Sequence, residues 1–231
     1  MTLFVEPLAF PVVYLVTDRR RVSTDARTLA QEVTALERVL DDAIEAGVDV
    51  VQIRESDLPA ALLLALVQRI CRAAYGTSTR VVVNDRIDVA LAAGADGVHL
   101  PSHGVSVAVA RTVMETRLVG CSTHSDTPAR MTTRADYAVF GTVFETRSKP
   151  GRSDVAGLAG LSAAARKFPV PVIAIGGITP ERAADCLRGG AAGVAAIAPF
   201  LPAGREPGAM GAAPAVVAFR EAMRDVVRDG R

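Results

Sequence analysis

Short apolar segments alternate with longer amphipathic segments from one end of the chain to the other. The short segments are apolar almost throughout, as expected of parallel strands that are covered on both faces. The predicted strands are 12–17, 49–53, 80–84, 97–100, 118–122, 137–141, 172–175 and 193–197. The predicted helices are 28–46, 59–74, 87–93, 107–116, 127–133, 158–167, 180–188 and 212–227. Eight strands that alternate with eight helices predict a closed (β/α)8 barrel, the TIM-barrel class.

Turn and capping residues support these boundaries. Glycines stand where helices should end, at Gly47, Gly94 and the pair 189–190. Thr179 precedes Pro180, which predicts a hydroxyl N-cap and a proline in the first turn of the seventh helix. A pattern of helix end, turn and strand recurs three times, and such repeats are also found in solenoids and propellers. An open doubly wound sheet is a further alternative, because the sequence does not give the order of the strands.

The composition fits one domain with no nucleic-acid partner. We expect a single TIM-barrel domain over residues 1–231, with its core at about 12–228, because such barrels commonly run past about 200 residues. The formal net charge is +1, and aromatic residues make up 4% of the chain without any tryptophan. A nucleic-acid site would need a basic stripe or stacking aromatics, and this composition favours neither.

The cysteines and the amino-terminal stretch suggest where the protein works. Three widely spaced cysteines without a CxxC pair favour free thiols in a reducing compartment. The first residues include Glu6 and no basic segment, so they do not resemble a signal peptide. No apolar run has the length of a bilayer span. We therefore expect a cytoplasmic protein without a membrane partner, and the apolar balance leaves a homo-oligomer open.

Polar residues concentrate at the carboxyl ends of the predicted strands, where barrel enzymes carry their active sites. The candidates are Gln52, Arg54, Asn84, Asp85, Ser122, His124, Thr146, Ser148, Lys149, Gly176 and Gly177. The pair Gly176-Gly177 lies between a strand and a capped helix, so its backbone N–H groups and the helix dipole predict a phosphate site. Arg54 and Lys149 are cations suited to an anionic ligand, although each would also fit a solvated surface.

The histidines and Asp85 allow more than one interpretation. His124 follows a strand among hydroxyl groups, where an imidazole can accept and return a proton near neutral pH. His99 lies inside a strand and is expected to pack in the interior, whereas His103 lies in a loop. Asp85 is the one carboxylate expected deep in the barrel mouth. It is a poor Mg²⁺ site alone, and capping of the helix that begins near Ile87 is the favoured interpretation.

Six segments, taken in chain order, resemble the thiamine phosphate synthase superfamily. They are YLVTD at 14–18, VQIRE at 51–55, VNDRIDVA at 83–90, GADGVHL at 94–100, ADYAVFGTVFET at 135–146 and PVIAIGGITP at 171–180. The resemblance extends from about residue 14 to 200 and implies a barrel that binds a small thiazole phosphate. The superfamily has two branches, a synthase and a tautomerase.

The synthase branch couples a hydroxymethylpyrimidine pyrophosphate to a thiazole phosphate and uses Mg²⁺. Its pattern has a lysine where this chain has Ser56, and an aspartate that helps to hold Mg²⁺ where this chain has Gly104. Each lost donor should cost about 2.7–4 kcal/mol of transition-state stabilisation. Under this alternative Asp85 would be the metal ligand. In both branches the eighth strand usually ends in a phosphate-binding serine, and here that position is Ala198.

The tautomerase branch is the closer resemblance. It is carried by the segments at 100–102, 124–125 and 144–146 and by Lys149. It implies an isomerase without a cofactor, in which His124 moves a proton to make the thiazole ring aromatic. The resemblance implies that Arg54 holds the substrate carboxylate. The implied substrate-binding set is Gln52, Arg54, Asn84, Ser122, Thr146, Ser148, Lys149, Gly176, Gly177 and Ala198. We therefore expect a thiazole tautomerase, with the synthase as the alternative and a non-catalytic barrel that binds thiamine precursors as the third possibility.

Overall fold

A computed structural model describes residues 7–146 and 155–229 of the chain. Eight parallel strands form a closed barrel in chain order, and the eighth strand pairs with the first. The strands are β1 (Val12–Val16), β2 (Val50–Ile53), β3 (Arg80–Asn84), β4 (Gly97–Leu100), β5 (Leu118–Thr123), β6 (Tyr137–Phe140), β7 (Val172–Ile175) and β8 (Gly193–Ala196). The predicted TIM barrel is confirmed, and the open sheet, the solenoid and the propeller are excluded.

The helices surround this barrel and pack their apolar sides against the outer faces of the strands, where the larger core lies. They are α1 (Leu29–Glu45), α2 (Ala60–Ala74), α3 (Ile87–Ala93), α4 (Val107–Met114), α5 (Gly157–Lys167), α6 (Pro180–Arg188) and α7 (Ala212–Asp229). Among the residues described, none of these helices is long and apolar enough to cross a membrane.

The helix predicted at 127–133 is wrong. A single 3-10 turn, Ala129–Met131, stands in its place. The stretch contains a proline and three threonines, which are poor helix formers. The Thr127 hydroxyl also accepts a hydrogen bond of 2.9 Å from the backbone N–H of His124. This bond closes a local turn that competes with helix formation. The connection from β5 to β6 is therefore a loop.

The start of α6 agrees with the capping signal, although the hydroxyl group has another partner. Thr179 is the N-cap and Pro180 lies in the first turn. The Thr179 hydroxyl makes no capping bond to a backbone N–H group. It hydrogen-bonds the carboxylate of Glu181 instead, and this bond is the main reason that the pKa of Glu181 is lowered.

The inner faces of the strands enclose a second, smaller apolar cluster below the barrel mouth. Tyr14 and Tyr137 are both fully buried there, and their hydroxyl oxygens lie 3.2 Å apart. Gly120 on β5 leaves the space for one of these rings, because a Cβ added at Gly120 would lie 2.1 Å from Cζ of Tyr137. The tyrosine pair fills the barrel, so it supports the groups that lie above it at the carboxyl ends.

Three carboxylates join neighbouring strands at the opposite end of the barrel. Asp49, Asp96 and Asp136 each precede an even-numbered strand, and each accepts a backbone hydrogen bond from the preceding odd-numbered strand. The donors are the N–H groups of Val13, Val81 and Val119, at 2.7, 2.7 and 2.6 Å. Asp49 and Asp96 belong to the first two copies of the repeat of helix end, turn and strand. Before β8 the corresponding residue is Ala192, which has no carboxylate.

Candidate active site at the carboxyl ends of the strands

A cavity of about 90 Å³ lies at the carboxyl ends of β7 and β8. The residues that line it include Arg21, Arg54, Thr142, Thr146, Gly176, Gly177 and Ala198. Five of these residues were expected from the sequence to bind the substrate, and the fold brings them to one place. Two cations and a glycine turn around a small volume suit an anion such as a phosphate group.

The turn Gly176-Gly177 needs glycine at both positions. The φ angles are +102° and +61°, in a region that other residues rarely adopt. A Cβ at Gly176 would lie 2.6 Å from the Thr142 side chain, and one at Gly177 would lie 2.3 Å from the carbonyl oxygen of Glu145. The carbonyl oxygen of Gly177 accepts a 2.7 Å hydrogen bond from Arg182. The turn is thus held close against the β6 loop, next to the cavity.

Arg54 is positioned through its backbone. Its N–H donates a 2.8 Å hydrogen bond to the hydroxyl oxygen of Thr17 at the end of β1. That hydroxyl in turn bonds the carboxylate of Glu55. Glu55 is buried, and burial raises its pKa, whereas the bonds from Thr17 and Arg19 lower it. The first and second strand ends are therefore fixed to each other beside the cavity.

A buried guanidinium completes this connection. Arg19 is 4% exposed and donates 3.0 Å bonds to Glu55 from both its backbone N–H and Nη1. It also bonds Asp57, and its Nε lies 3.0 Å from a carboxylate oxygen of Glu32. The hydrogen bonds from Arg19 are the main reason that the pKa of Asp57 falls to about 2. One arginine thereby holds three carboxylates from α1 and from the loop after β2.

The floor of the barrel mouth is a layer of neutral polar side chains. Nε2 of Gln52 donates a 3.1 Å hydrogen bond to Oδ1 of Asn84. Nε2 of His99 lies 2.9 Å from the Ser122 hydroxyl, and its ring stacks on Tyr137. Gln52, Asn84 and Ser122 were all expected to bind substrate from the sequence.

His99 is interior, as predicted, but it belongs to the site as well as to the core. It faces into the barrel beside Asn84, its partner in strand register. Burial, followed by the positive charge of Arg54, lowers its pKa to about 3, so the imidazole is neutral at physiological pH. Its Nδ1 is buried and has no hydrogen-bond partner among the described residues. Successive side chains of β4 point to opposite faces of the sheet. The sequence gives this alternation, but only the strand register shows which side chains face into the barrel.

His124 lies directly after β5 and is half-buried. Its Nδ1 lies 2.5 Å from the carbonyl oxygen of Gly141. A carbonyl oxygen only accepts, so Nδ1 of His124 is the donor in this contact. With Ser122 it lines a second, larger cavity of about 580 Å³, between α4 and the β5–β6 loop.

Asp85 does not cap the helix that follows it, so the favoured interpretation of this residue is wrong. The N-cap of α3 is Arg86, without a capping side-chain bond. Asp85 has a φ of +64°, a strained angle that aspartate tolerates better than most residues. Its backbone N–H donates to the carbonyl oxygen of His99, and its Oδ1 lies 2.8 Å from the position of a Cβ added at Gly104. The carboxylate therefore stands at the mouth, facing the loop after β4.

Asp85 is the carboxylate on which a Mg²⁺ site at the barrel mouth would depend. The described residues include no group of three histidine, cysteine or acidic side chains that could hold a metal ion. Mg²⁺ is often bound through one or two carboxylates together with substrate phosphates and water. Asp85 fits that kind of site, in which the substrate provides most of the ligands. Ser148 and Lys149, expected at the phosphate, lie outside the described residues.

Comparison with known sequences identifies a consistent set of relatives. Residues 13–200 match the sequence profile of the thiamine monophosphate synthase family. A putative thiamine-phosphate synthase of Geobacter sulfurreducens is 39% identical over 191 residues, which cover 81% of this chain and 85% of the relative. The thiamine-phosphate synthase of Roseiflexus castenholzii is 35% identical over 202 residues, or 84% of this chain and 85% of the relative.

A solved structure agrees with these relatives. The thiamine phosphate pyrophosphorylase from Pyrococcus furiosus has a TM-score of 0.77 with this chain at 27% sequence identity. The match covers 94% of this chain and 96% of the other. The similarity therefore extends over nearly the whole barrel.

The expectation of a tautomerase is wrong. The relatives that share 35–39% of their residues with this chain are synthases, which supports the transferase alternative over the isomerase. The tautomerase interpretation depended on the short segments at 100–102, 124–125 and 144–146 and on Lys149. The chain belongs to the thiamine monophosphate synthase family.

Proposed function

We propose that the chain is a thiamine-phosphate synthase, which joins a hydroxymethylpyrimidine pyrophosphate to a thiazole phosphate. The observation that carries this proposal is the 35% identity to the Roseiflexus synthase over 202 residues. The cavity at the ends of β7 and β8 supports it, because Arg54 and the glycine turn there suit a phosphate group. We assign that cavity to the phosphate of the thiazole.

The coupling forms one bond and breaks one. The thiazole ring nitrogen gives its electron pair to the methylene carbon of the pyrimidine, and the bond from that carbon to the pyrophosphate oxygen breaks. Pyrophosphate leaves with the bonding pair, so negative charge grows on it during the step and needs stabilisation. No proton leaves the thiazole in this step, so His124 has no task as a general acid or base.

The neutral floor suits the pyrimidine ring. Amide side chains both donate and accept hydrogen bonds, and the bond between Gln52 and Asn84 leaves each with further donors and lone pairs for a ligand. His99 remains uncharged because it is buried, so the floor offers hydrogen bonds without a net charge. These groups orient the ring and exclude water beneath it.

The pyrophosphate is assigned to the side of the mouth that holds Asp85. Mg²⁺ is implied by the family, and when bound it would neutralise charge on the leaving pyrophosphate. Asp85 is the carboxylate that would hold it. Ser56 and Gly104 stand where the synthase pattern has a lysine and an aspartate, so we propose that this chain requires a high Mg²⁺ concentration for full activity.

An endpoint assay tests the proposed function. The purified full chain is incubated with hydroxymethylpyrimidine pyrophosphate, thiazole phosphate and millimolar Mg²⁺, and thiamine phosphate is measured as fluorescent thiochrome. We expect product that depends on both substrates and on Mg²⁺, and that falls at least about tenfold in Arg54→Gln, which loses a charge-assisted contact. Absence of product across a wide range of Mg²⁺ concentrations would contradict the proposal, as would conversion of a non-aromatic thiazole tautomer without coupling.

A further inference from the structure

The phosphate cavity has a cation that the strand-end pattern did not reveal. Arg21 lies in a 3-10 turn, Arg19–Arg21, directly after β1, and its side chain lines the cavity together with Gly176, Gly177 and Ala198. The side chain is 20% exposed, so most of it is already out of water. An arginine in this position is able to bind a phosphate with two parallel N–H donors.

The end of β8 provides the cavity with no side chain that can donate a hydrogen bond. Ala198 lies at the end of β8 with a methyl side chain, and Pro199 after it has no backbone N–H to donate. A phosphate dianion accepts more hydrogen bonds than a glycine turn alone supplies. Arg21 and Arg54 both bring a guanidinium with five N–H groups to the cavity, and Arg21 is the one tied to the segment that follows β8.

Arg21 is held from two sides by the segment that follows β8. Its Nη2 donates to the carboxylate of Glu206, and its backbone carbonyl oxygen accepts a 2.8 Å hydrogen bond from Nε of Arg205. A second carboxylate, that of Asp18, lies 4.0 Å from Nη1. One firm side-chain bond leaves several N–H donors of the guanidinium for a ligand.

We propose that Arg21 binds the phosphate group of the thiazole substrate and that Glu206 positions it for this contact. The inference rests on the proposed function for the identity of the substrate, and on the cavity for the phosphate contact itself. In this arrangement the loop after β1 provides Arg21 and the loop after β8 provides Glu206. Together they supply the hydrogen-bond donor that the end of β8 lacks.

The adjacent arginine provides a matched control. Arg20 is 66% exposed, bonds Asp57 and does not line the cavity. A change at Arg20 removes the same charge from the same turn without removing the proposed contact. Any effect of long-range charge alone should therefore be equal in Arg20→Gln and Arg21→Gln.

Calorimetric titration of the full chain with thiazole phosphate, and separately with inorganic phosphate, tests the proposal. We expect Arg21→Gln to weaken both by about 10- to 100-fold, Arg21→Lys to lose less, and Arg20→Gln to match the wild type. Glu206→Gln should raise KM for thiazole phosphate and leave kcat and the KM for the pyrimidine substrate unchanged. Thermal unfolding of each variant identifies any loss of binding that is due to misfolding. If Arg21→Gln is misfolded, the affinity of Arg21→Lys for the two ligands tests the proposal instead.

The outcomes separate this inference from the proposed function. Equal binding by Arg21→Gln and wild type, or an equal loss in Arg20→Gln, overturns the role of Arg21. Binding of inorganic phosphate that depends on Arg21, in a chain that neither binds thiazole phosphate nor forms product, leaves the role of Arg21 standing and overturns the synthase. If the wild type binds neither ligand, the cavity is not a phosphate site and the inference fails.

Discussion

The neutral state of His99 connects the chemistry of the site to the stability of the fold. The pKa of His99 is about 3 in the folded chain, because the ring is buried and lies near the positive charge of Arg54. The ordinary value for an unfolded chain is about 6.5. Between these two values the unfolded chain binds a proton that the folded chain does not, so acid favours unfolding over this range.

We therefore expect the free energy of unfolding to fall as the pH drops from about 6.5 towards 3, by roughly 1.4 kcal/mol per pH unit from this residue. The raised pKa of Glu55 changes the free energy of unfolding with pH in the opposite direction. The contribution of His99 is therefore measured by comparing the pH profiles of variants with that of the wild type. Urea unfolding of His99→Gln should show a shallower loss in acid, whereas His103→Gln, an exposed control, should follow the wild type. Parallel pH profiles for all three proteins would contradict the assignment.

The space beside Asp85 gives a second prediction at the residue scale. Gly104→Asp adds a carboxylate next to the existing one, and the atoms nearest to its Cβ are in the flexible carboxylate end of Asp85 and the ring of Pro101. We expect the Mg²⁺ concentration for half-maximal coupling to fall by about tenfold, since a second carboxylate strengthens a hard-cation site. Gly104→Asn has the same size without the charge, and an equal shift in that control would show that the carboxylate is irrelevant.

At the scale of elements, the site depends on loops that the strands hold in place. The loop after β1 provides Arg19 to the loop after β2 and Arg21 to the loop after β8. Both connections join segments that are far apart in the chain. The first ties Glu55, the neighbour of Arg54, to the loop after β1, and the second holds Arg21 at the cavity between the ends of β7 and β8.

Removal of Arg19 should be strongly destabilising. Arg19→Met removes the guanidinium that pairs with the buried carboxylate of Glu55, and breaking a buried ion pair typically costs about 3–5 kcal/mol. Urea unfolding measures this loss, and Arg20→Met is the matched control, expected to change stability by less than about 1 kcal/mol because its ion pair is exposed. A loss in Arg19→Met no greater than in the control would refute the buried connection as a major contribution.

At the scale of the whole molecule, glycine on the inner face of the barrel makes room for large side chains. Gly120 and Tyr137 show this most clearly, since one lacks the atom that the other would meet. The tyrosine then supports His99 by stacking, at 6.0 Å between ring centroids. A packing defect at Gly120 or Tyr137 should therefore also displace His99 on the floor of the site.

Gly120→Ala should lower the free energy of unfolding by about 2–3 kcal/mol or more, because the new methyl group overlaps the ring of Tyr137. The test is a double-mutant cycle with Tyr137→Val, which removes the ring. We expect Gly120→Ala to cost little in that background. Additive losses would indicate that the overlap is not the cause.

The carboxyl ends of the strands were predictable from the sequence, because each strand is a local run of apolar residues and the polar residue that ends it is adjacent. Gln52, Asn84 and Ser122 lie on the floor for this reason, and Gly176-Gly177 forms its turn where the strand-to-helix transition requires it. The wrong helix at 127–133 and the wrong cap at Asp85 have two different causes. The Thr127 hydroxyl closes a local turn with His124, whereas the N–H of Asp85 bonds His99 on the neighbouring strand and its φ is +64°.

The sequence alone determined the class of fold, the strand ends and the family resemblance, because these depend on hydrophobic runs and motifs that are contiguous in the chain. Only the tertiary structure placed Arg21 beside Ala198, 177 positions later in the chain, and only the strand register turned His99 towards Ser122. Such contacts depend on how the barrel closes and on which face each side chain takes. Neither property is encoded by neighbouring residues, so the full lining of the cavity and the neutral floor of the barrel mouth appeared only in the folded chain.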